Sequence, residues 1–304
     1  MSRWVVLAGG VGGAKLCHGM YRIGCPLTIV GNTGDDFRLH GLWISPDLDT
    51  VMYTLAERAD EKQGWGLQGE TWAVSRQLAE LGGETWFRLG DGDLATHLFR
   101  TQALAAGQTL TQVTGRLCAA HGLPEGILLP MSDQPAPTRV RTEHGWLDFQ
   151  EYFVAQQHRP RVLECAYAPE AEPTAQVLQA LQSAERIVLA PSNPFLSLLP
   201  LFALAGFEAA WAGLQGRKIA VSPMIGGQAI KGPLAELLSS LGYPCNSLGV
   251  ALALRGKVDH WVLDESDAGL RSDIESLGCS LTLMSTWMKQ VAEREELARR
   301  ICEL

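Results

Sequence analysis

Residues 4–15, with the sequence WVVLAGGVGGAK, decide the fold class of this 304-residue chain. The first five residues are apolar, as in a buried strand, and the glycines after them allow the backbone to turn sharply. A helical pattern begins directly after Gly13, so the stretch predicts a strand that passes into a helix. A strand that is apolar on both faces is typical of a parallel sheet covered by helices.

The same alternation of short apolar runs and longer helical patterns continues along the chain. It predicts an α/β fold with a doubly wound, mainly parallel, Rossmann-like sheet and a small α+β insertion lobe. The predicted strands are residues 4–8, 27–30, 85–89, 186–190, 218–222, 258–263 and 281–284. The predicted helices are residues 14–23, 50–58, 71–81, 94–106, 175–183, 234–241, 268–277 and 289–302.

The middle of the chain departs from this alternation. Residues 128–131 have the pattern of a strand, and residues 138–149 have that of a β-hairpin around a Glu-His-Gly turn. We therefore expect a nucleotide-binding and catalytic core made of residues 1–108 and 171–304. The insertion lobe would consist of residues 109–170.

Composition excludes several classes of protein. With 25 basic and 33 acidic side chains the net charge is −8, which does not suit a nucleic-acid coat or a protein that binds anionic membranes. The seven cysteines are scattered without a C-x-x-C pair, as expected for reduced thiols in the cytoplasm. No apolar run has the length of a membrane span or a signal-peptide core, so we expect a cytoplasmic protein.

The glycine-rich turn has the properties of a phosphate-binding loop. Gly10, Gly12 and Gly13 allow backbone N–H groups to approach a ligand, and Lys15 and the helix N-terminus add positive charge. The stretch is not a Walker A motif, because Ala14 separates Gly13 from Lys15 and no Ser or Thr follows Lys15. It is not a G-x-G-x-x-G motif either, because Lys15 stands where the third glycine would be. The alternative is a tight structural turn with a solvated lysine.

Four carboxylates follow the second predicted strand within fifteen positions: Asp35, Asp36, Asp47 and Asp49. Since the carboxyl ends of parallel strands meet at one edge of the sheet, we expect these acids to lie near the glycine-rich loop. A hard divalent cation such as Mg²⁺ would relieve their mutual repulsion. The alternative is that Asp49 caps the next helix and that Asp35 and Asp36 are turn residues.

A third polar segment, residues 86–97, covers the end of the predicted strand at 85–89 and the start of the next predicted helix. Arg88 could clamp an oxyanion or stack on a flat ring. Asp93 could simply cap the following helix, and His97 is more often a packed or surface residue than a ligand.

Two later segments also offer polar groups after apolar strands. Ser192 and Asn193 have donors and acceptors suited to a nucleobase edge or a phosphate oxygen, with a helix cap as the alternative. Gly226 and Gly227 form a second glycine pair, which with Lys231 predicts another anion contact unless Lys231 is a plain surface residue.

Taken together, these segments resemble the 2-phospho-L-lactate transferase (CofD-like) family, and the string GNTGDDF…HGL…PDLDT…MYTL is specific to it. The resemblance implies a step in coenzyme F-420 biosynthesis, catalysed by a Mg²⁺-dependent phosphotransferase of class EC 2.7.8. Such enzymes transfer a phospho-carboxylic acid from its guanosine diphosphate conjugate to the deazaflavin alcohol Fo, and GMP leaves. The matching residues are 7–15, 31–50, 65–72, 87–97, 190–197 and 222–233.

The resemblance also implies roles for individual residues. Asp49 and Arg88 would contact the deazaflavin, although Arg88 replaces the lysine common there, and Asp49 would accept the proton of the attacking hydroxyl. Asp35, Asp36 and Asp49 would hold Mg²⁺, with Asp36 and Asp49 as the catalytic pair.

For the donor, the glycine-rich loop with Lys15 would hold the diphosphate. Ser192, Asn193 and Ser197 would seat the guanosine end. A homodimer is expected, and the acid carried, whether lactate, enolpyruvate or glycerate, is left open.

Two other functions are compatible with the same core. One is a regulatory protein that binds nucleotide-sugars without turnover, although it would not need an acceptor pocket. The other is a sugar or nucleotidyl transferase, which would ignore a deazaflavin.

Overall fold

The computed structural model describes residues 3–230 and 232–304. In chain order the strands are β1 Trp4–Ala8, β2 Leu27–Gly31, β3 Phe37–Leu39, β4 Leu42–Ile44, β5 Leu128–Pro130, β6 Arg139–Thr142, β7 Gly145–Asp148, β8 Val162–Ala166, β9 Arg186–Leu189, β10 Arg217–Val221, β11 Met224–Ile225, β12 Gln228–Ala229, β13 His260–Leu263 and β14 Ser280–Leu283. The α-helices are α1 Gly10–Arg22, α2 Pro46–Leu55, α3 Ala73–Glu80, α4 Asp91–Ala105, α5 Leu110–Ala120, α6 Ala175–Gln182, α7 Leu199–Phe202, α8 Phe207–Ala212, α9 Leu234–Ser240, α10 Ser247–Ala253, α11 Arg271–Glu275 and α12 Val291–Cys302.

A seven-stranded sheet in the order β14-β13-β10-β9-β1-β2-β5 forms the centre of the protein, and its strand pairs are parallel. From β1 the chain builds outward in one direction through β2 and β5, and later in the other direction through β9, β10, β13 and β14. The strand order therefore reverses between β1 and β9. This confirms the predicted doubly wound α/β fold, and such a reversal is where these folds bind ligands.

Both faces of the sheet are buried. Along β1, Val5 and Leu7 enter one hydrophobic cluster, whereas Trp4, Val6 and Ala8 enter another on the opposite face. Alternate side chains of a strand point to opposite faces, so a strand covered on both sides must be apolar throughout. On the second face, α1 packs between α2 and α12.

The prediction of a strand at residues 85–89 was wrong. This segment has no strand, and its apolar side chains pack with the β3–β4 hairpin in a small separate cluster. Phe87 meets Phe37 edge-on, with ring centroids 4.9 Å apart, and Leu89 is buried beside Leu39 and Ile44. Burial in a local cluster thus produced an apolar pattern that resembles that of a sheet strand.

Several helices begin earlier than the hydrophobic pattern suggests. The first starts at Gly10 rather than at residue 14, and α2 starts at Pro46 rather than at residue 50, since proline fits the first turn of a helix. Likewise α4 starts at Asp91 rather than at residue 94. The predicted helix at 268–277 is divided into a 3₁₀ turn, Glu265–Leu270, and α11.

The middle of the chain contributes to two sheets. Within residues 109–170, β5 is the edge strand of the central sheet, where Ile29 of β2 pairs with Leu128. Strands β7, β6 and β8 form a separate antiparallel sheet that includes the predicted hairpin, and its Val140 and Val162 pack into the core. The division of domains at 109 and 170 itself stays a prediction.

In the described part of the chain, every helix is too short or too polar to cross a bilayer.

The contact between α1 and α12 predicts opposite effects of two glycine substitutions. In Gly19→Ala the new Cβ would lie 2.2 Å from the carbonyl oxygen of Arg294, so the helices must move apart. We expect a loss of about 1–3 kcal/mol in the free energy of unfolding. The control is Gly115→Ala in α5, where no atom lies within 4 Å and helix propensity should add up to about 1 kcal/mol. Urea unfolding of both variants checks this, and equal effects would contradict it.

Candidate active site

The candidate site lies at the carboxyl edge of the sheet, beside the ends of the neighbouring strands β1 and β9. The Gly9 N–H donates to the Ser192 hydroxyl over 3.2 Å, and that hydroxyl donates to the Gly9 carbonyl over 2.8 Å. Ser192 is buried. The loops after the two strands are thus joined across the point where the strand order reverses.

Close approach of the loop after β9 explains two of the glycines. A Cβ on Gly12 would lie 2.3 Å from the Pro191 carbonyl oxygen, and one on Gly13 would lie 2.6 Å from Ser192 Oγ. Gly10 has a positive φ of 64°, a conformation that favours glycine. The sharp turn predicted from the sequence is confirmed, whereas phosphate binding by this loop stays a prediction.

A buried carboxylate, that of Asp47, joins three segments of the site. It accepts hydrogen bonds from Gly10 N at 2.5 Å, Asn32 Nδ2 at 2.9 Å and Ser197 Oγ at 3.3 Å. The backbone N–H of Asp47 donates to Asp35 Oδ2 at 3.2 Å. The Asp47 carboxyl group therefore already accepts a hydrogen bond from one of the backbone N–H groups of the glycine-rich turn.

Lys15 lies on the outer side of α1, on a groove between α1, α2 and α12. Thr50, Trp65 and Arg294 line the same groove, as does Glu61, whose carboxylate lies 2.7 Å from the Arg294 guanidinium. Acidic and basic side chains thus alternate beside Lys15.

Asp35 and Asp36 follow β2 and form the acidic part of the site. Asp36 Oδ2 accepts from Trp43 Nε1 at 2.9 Å and from Ser45 Oγ at 2.7 Å. Its Oδ1 is buried without a hydrogen-bond partner. Burial of the carboxyl group raises the pKa of Asp36 to about 8, and burial together with the neighbouring carboxylates raises that of Asp35 well above its usual range.

Asp49 forms an ion pair with a buried arginine. Arg100 of α4 donates to both carboxylate oxygens, and Arg100 is 1% exposed. Burial alone would lower the pKa of Arg100, but the Asp49 carboxylate beside it raises that pKa above its ordinary value. Asp49 lies inside the first turn of α2, after Ser45 and Pro46, so it is not the residue that caps the helix.

His97 belongs to the same buried network. Its Nδ1 lies 3.1 Å from Arg100 and 3.7 Å from Asp49, and its Nε2 lies 3.4 Å from Asp93. Asp93 also accepts from the Tyr53 hydroxyl at 2.8 Å. Asp93 therefore lies within α4 as a network partner rather than as its cap.

Two groups of side chains are candidates for binding a metal ion. Single ligand atoms of Asp49, Asp93 and His97 lie within 4.8 Å of one another, the spacing that one ion would require. However, the Arg100 guanidinium already bonds to Asp49 and His97, and its positive charge would repel a second cation.

The carboxylates of Asp35 and Asp36 fit Mg²⁺ better. Their oxygens are hard ligands, and Asp36 Oδ1 is an orphaned buried acceptor. In the described residues, Asp35, Asp36 and Asp49 do not form a group within 4.8 Å, so the predicted joint metal site of these three stays a prediction.

Arg88 lies in an aromatic patch at the surface. Its guanidinium stacks over the Trp72 ring with 4.3 Å to the centroid, and Trp72 meets Trp65 edge-on at 6.1 Å. Trp65 is 38% exposed. The predicted ability of Arg88 to stack on a flat ring is thus realised with a tryptophan of the chain itself.

The remaining predicted residues occupy two loops. Asn193 accepts from Phe195 N at 3.0 Å and begins a π-helical turn, the capping role left open from the sequence. Gly226 and Gly227, with φ of 58° and 73°, form the turn between β11 and β12, where Gly227 N donates to Asp267. Lys231 lies outside the described residues.

The sequence did not identify Asn32 or Arg100 as parts of the site, and it placed Asp47 near the glycine-rich loop without giving it a role. Asp93, His97 and Arg100 recur every three or four residues on α4 and therefore share one helix face, which was a usable signal. Which carboxylate Arg100 meets is set by the packing of α4 beside β4 and the α2 helix that follows it, and no local pattern encodes it.

Two neighbouring carboxylates should respond differently to removal of their charge. Asp49→Asn leaves the buried Arg100 without its counter-ion, and we expect a loss of about 3–5 kcal/mol in the free energy of unfolding. Asp36→Asn keeps an oxygen acceptor for Trp43 and Ser45 and removes a carboxyl group whose burial is unfavourable, so we expect no loss of stability, or a gain, at neutral pH. Urea unfolding tests the contrast, which a larger loss for Asp36→Asn would refute.

The raised pKa of Asp36 predicts how stability depends on pH. Between its unfolded value near 3.8 and its folded value of about 8, the folded protein holds a proton that the unfolded chain has released. Stability should therefore fall as the pH rises from about 4 to about 8. In Asp36→Asn this contribution is absent, so its urea midpoint should fall less steeply over that range. Parallel curves for the two proteins would show that Asp36 does not titrate in this way.

Comparison with known proteins identifies the family. The family model described as 2-phospho-L-lactate transferase CofD matches residues 4–278. A phosphoenolpyruvate transferase from Streptomyces griseus is 40% identical over 99% of this chain and 98% of its own. A 2-phospho-L-lactate transferase from Methanosarcina acetivorans is 36% identical over 99% of this chain and 98% of its own.

A solved structure supports the fold. A member of the UPF0052 family from Bacillus halodurans superposes with a TM-score of 0.68 at 14% identity, covering 99% of both chains. The match to the family model spans most of the sequence, and the relatives align over nearly their full lengths. The chain therefore belongs to the 2-phospho-L-lactate transferase CofD family.

Proposed function

We propose that this transferase moves a phospho-carboxylic acid from its guanosine diphosphate conjugate to the deazaflavin Fo, with release of GMP, in coenzyme F-420 biosynthesis. The observation that carries the proposal is the convergence of the glycine-rich turn and the acidic residues on one edge of the sheet, through Asp47 and Asn32. Together with membership of the family, that arrangement suits a diphosphate donor that binds next to a cation.

The donor diphosphate would lie at the N-terminus of α1. The first N–H groups of a helix have no partner within it, and here Gly9 and Gly10 donate to Ser192 and Asp47. We assign the next amides, those of Val11 and Gly12, to the diphosphate, with Gly13 giving the close approach. Lys15 adds long-range positive charge from its groove.

The guanosine end would lie along the loop after β9. Ser192 and Ser197 present hydroxyls there, and Asn193 presents its amide. The turn at Gly226 and Gly227, with Lys231, would give a second contact to the donor.

Mg²⁺ would be held by Asp35 and Asp36, with Asp36 Oδ1 as the acceptor that lacks a partner, whereas Asp49, the third ligand that the resemblance implies, has both oxygens bonded to Arg100. When bound, the ion would neutralise the negative charge that develops as GMP leaves. Asn32 and Asp47 keep Asp35 in place, because Asn32 Nδ2 donates to Asp35 at 3.3 Å and the Asp47 amide donates at 3.2 Å.

The acceptor would enter beside the aromatic patch. Arg88, already stacked on Trp72, presents a flat cation to a deazaflavin ring, and the exposed Trp65 extends that surface. Asp49 would face the attacking hydroxyl as its proton acceptor. Because Arg100 holds both oxygens of Asp49 in place, we assign most of its effect to orientation of the hydroxyl, while burial raises the pKa of Asp49 above its ordinary value.

The acid that is carried differs in the names of the relatives, which are called phosphoenolpyruvate transferase or 2-phospho-L-lactate transferase. We propose a phosphoenolpyruvate-, phospholactate- or phosphoglycerate-type donor, and a cytoplasmic homodimer as the working form. A nucleotide-sugar-binding regulator is the second candidate, because the same loop and sheet would bind a nucleotide without turnover.

The direct test is GMP release. The purified protein with Fo, Mg²⁺ and a guanylylated acid should release GMP and form a product one phospho-acid heavier than Fo, by chromatography and mass spectrometry. Asp36→Asn should lower turnover by about 100-fold or more, because it removes a metal-binding and charge-organising carboxylate. A panel of lactate, enolpyruvate and glycerate donors identifies the acid.

Asp148→Asn is the matched control, since that carboxylate is 70% exposed on the lobe hairpin and should leave turnover unchanged. Tight nucleotide binding with no GMP release for any donor, and no change in Fo fluorescence on titration, would favour the regulatory protein. A product from a nucleotide-sugar with Fo ignored would favour the other transferase.

A further inference from the structure

Two cysteines lie in contact at the edge of the sheet opposite the candidate active site. Cys25 stands between α1 and β2, and Cys302 is the last residue of α12. Their Sγ atoms are 3.1 Å apart, and both residues are partly exposed, so small reagents can reach them. A disulfide has an S–S distance of about 2.05 Å, so a closure of about 1 Å would form the bond.

The packing of α1 against α12 holds the two sulfurs in this position. Gly19 brings α1 against the backbone of Arg294, and Arg22 Nε donates to Glu295 at 2.9 Å. The C-terminal carbonyl of Leu304 is also bound, by the Arg217 guanidinium. The two cysteines therefore lie at the ends of packed elements, whose contacts hold the sulfur atoms next to each other.

The other cysteines have different surroundings. Cys17 and Cys118 are buried in the core, and Cys165 packs partly buried against it. Cys245 and Cys279 donate to backbone carbonyl groups at 3.6 Å and 3.1 Å. In residues 3–230 and 232–304, the contact of Cys25 with Cys302 is the sulfur–sulfur contact within hydrogen-bonding distance. A reaction that needs two neighbouring thiols is thus confined to one place.

The hydrogen bond between the two thiols makes them unequal. It lowers the pKa of Cys25 and raises that of Cys302. The thiolate is the nucleophile in exchange reactions, so the thiol that accepts this hydrogen bond, taken here as Cys25, is the one favoured to attack.

We propose that Cys25 and Cys302 are a reversible redox site, which a low-molecular-weight disulfide converts into an intramolecular disulfide. The Cys25 thiolate attacks one sulfur of the reagent, which forms a mixed disulfide and releases the first reagent thiolate. The Cys302 thiol then loses its proton and attacks Cys25 Sγ, which releases the second reagent thiolate. The two cysteines lose two electrons and two protons, and two molecules of reagent thiol are formed.

The bond would connect residues 277 positions apart, near the two ends of the chain. Closing so long a loop restricts the unfolded chain and should stabilise the folded one. It would also fix α12, whose Arg294 binds Glu61 beside Lys15. The oxidised protein should therefore be the more heat-resistant form.

The test uses the full chain equilibrated with oxidised glutathione, then alkylated and digested without reductant. We expect a peptide that joins Cys25 to Cys302, loss of two hydrogens in intact mass, and a Tm several degrees above that of the reduced protein. Dithiothreitol should reverse all three. Free thiols or separate glutathione adducts on Cys25 and Cys302 after equilibration would overturn the proposal, and the wild-type peptide map alone decides this.

Three single variants locate the effect. Cys25→Ser and Cys302→Ser should each abolish the oxidation-dependent rise in Tm, whereas Cys245→Ser, which removes an exposed cysteine, should keep it. A rise that persists in Cys25→Ser would place the reactive pair elsewhere and refute the assignment.

Discussion

The carboxylate of Asp47 receives hydrogen bonds from Gly10, Asn32 and Ser197, which belong to three parts of the chain that are distant in sequence. A buried carboxylate is costly unless several donors satisfy it, so the energy of burying Asp47 depends on all three being in place. The start of α1, the end of β2 and the loop after β9 are therefore fixed relative to one another by hydrogen bonds to one buried carboxyl group.

The other acidic residues of the site differ in whether they have a positively charged partner. Arg100 is the cationic partner of Asp49 and contacts His97, so that side of the site holds a positive charge of its own. Asp35 and Asp36 have hydrogen-bond donors but no cation of their own, and burial raises the pKa of each. Such an imbalance is typical of functional sites, where binding of a cation or a polar ligand completes what folding leaves incomplete.

The sequence predicted the elements whose pattern is local. An apolar run followed by glycines can hardly form anything but β1, its turn and α1, and the parallel sheet follows from several such units. Residues 85–89 show the limit, because an apolar run has the same appearance whether it joins a sheet or packs on a neighbouring hairpin. The hydrogen-bond partners of Asp47 and Arg100 could not be predicted from the sequence for a related reason. They are set by contacts between residues far apart in sequence, and the residues adjacent in sequence do not determine them.

The strand order also bears on how the protein is made. One edge of β1 can pair with β2 almost as soon as both have been synthesised, but its other edge waits for β9, Arg186–Leu189. Until then an apolar strand presents unpaired backbone groups, which are a template for association with other chains. More than half of the polypeptide must leave the ribosome before that edge is covered, so the exposed edge of β1 is the longest-lived point of unsatisfied pairing during synthesis.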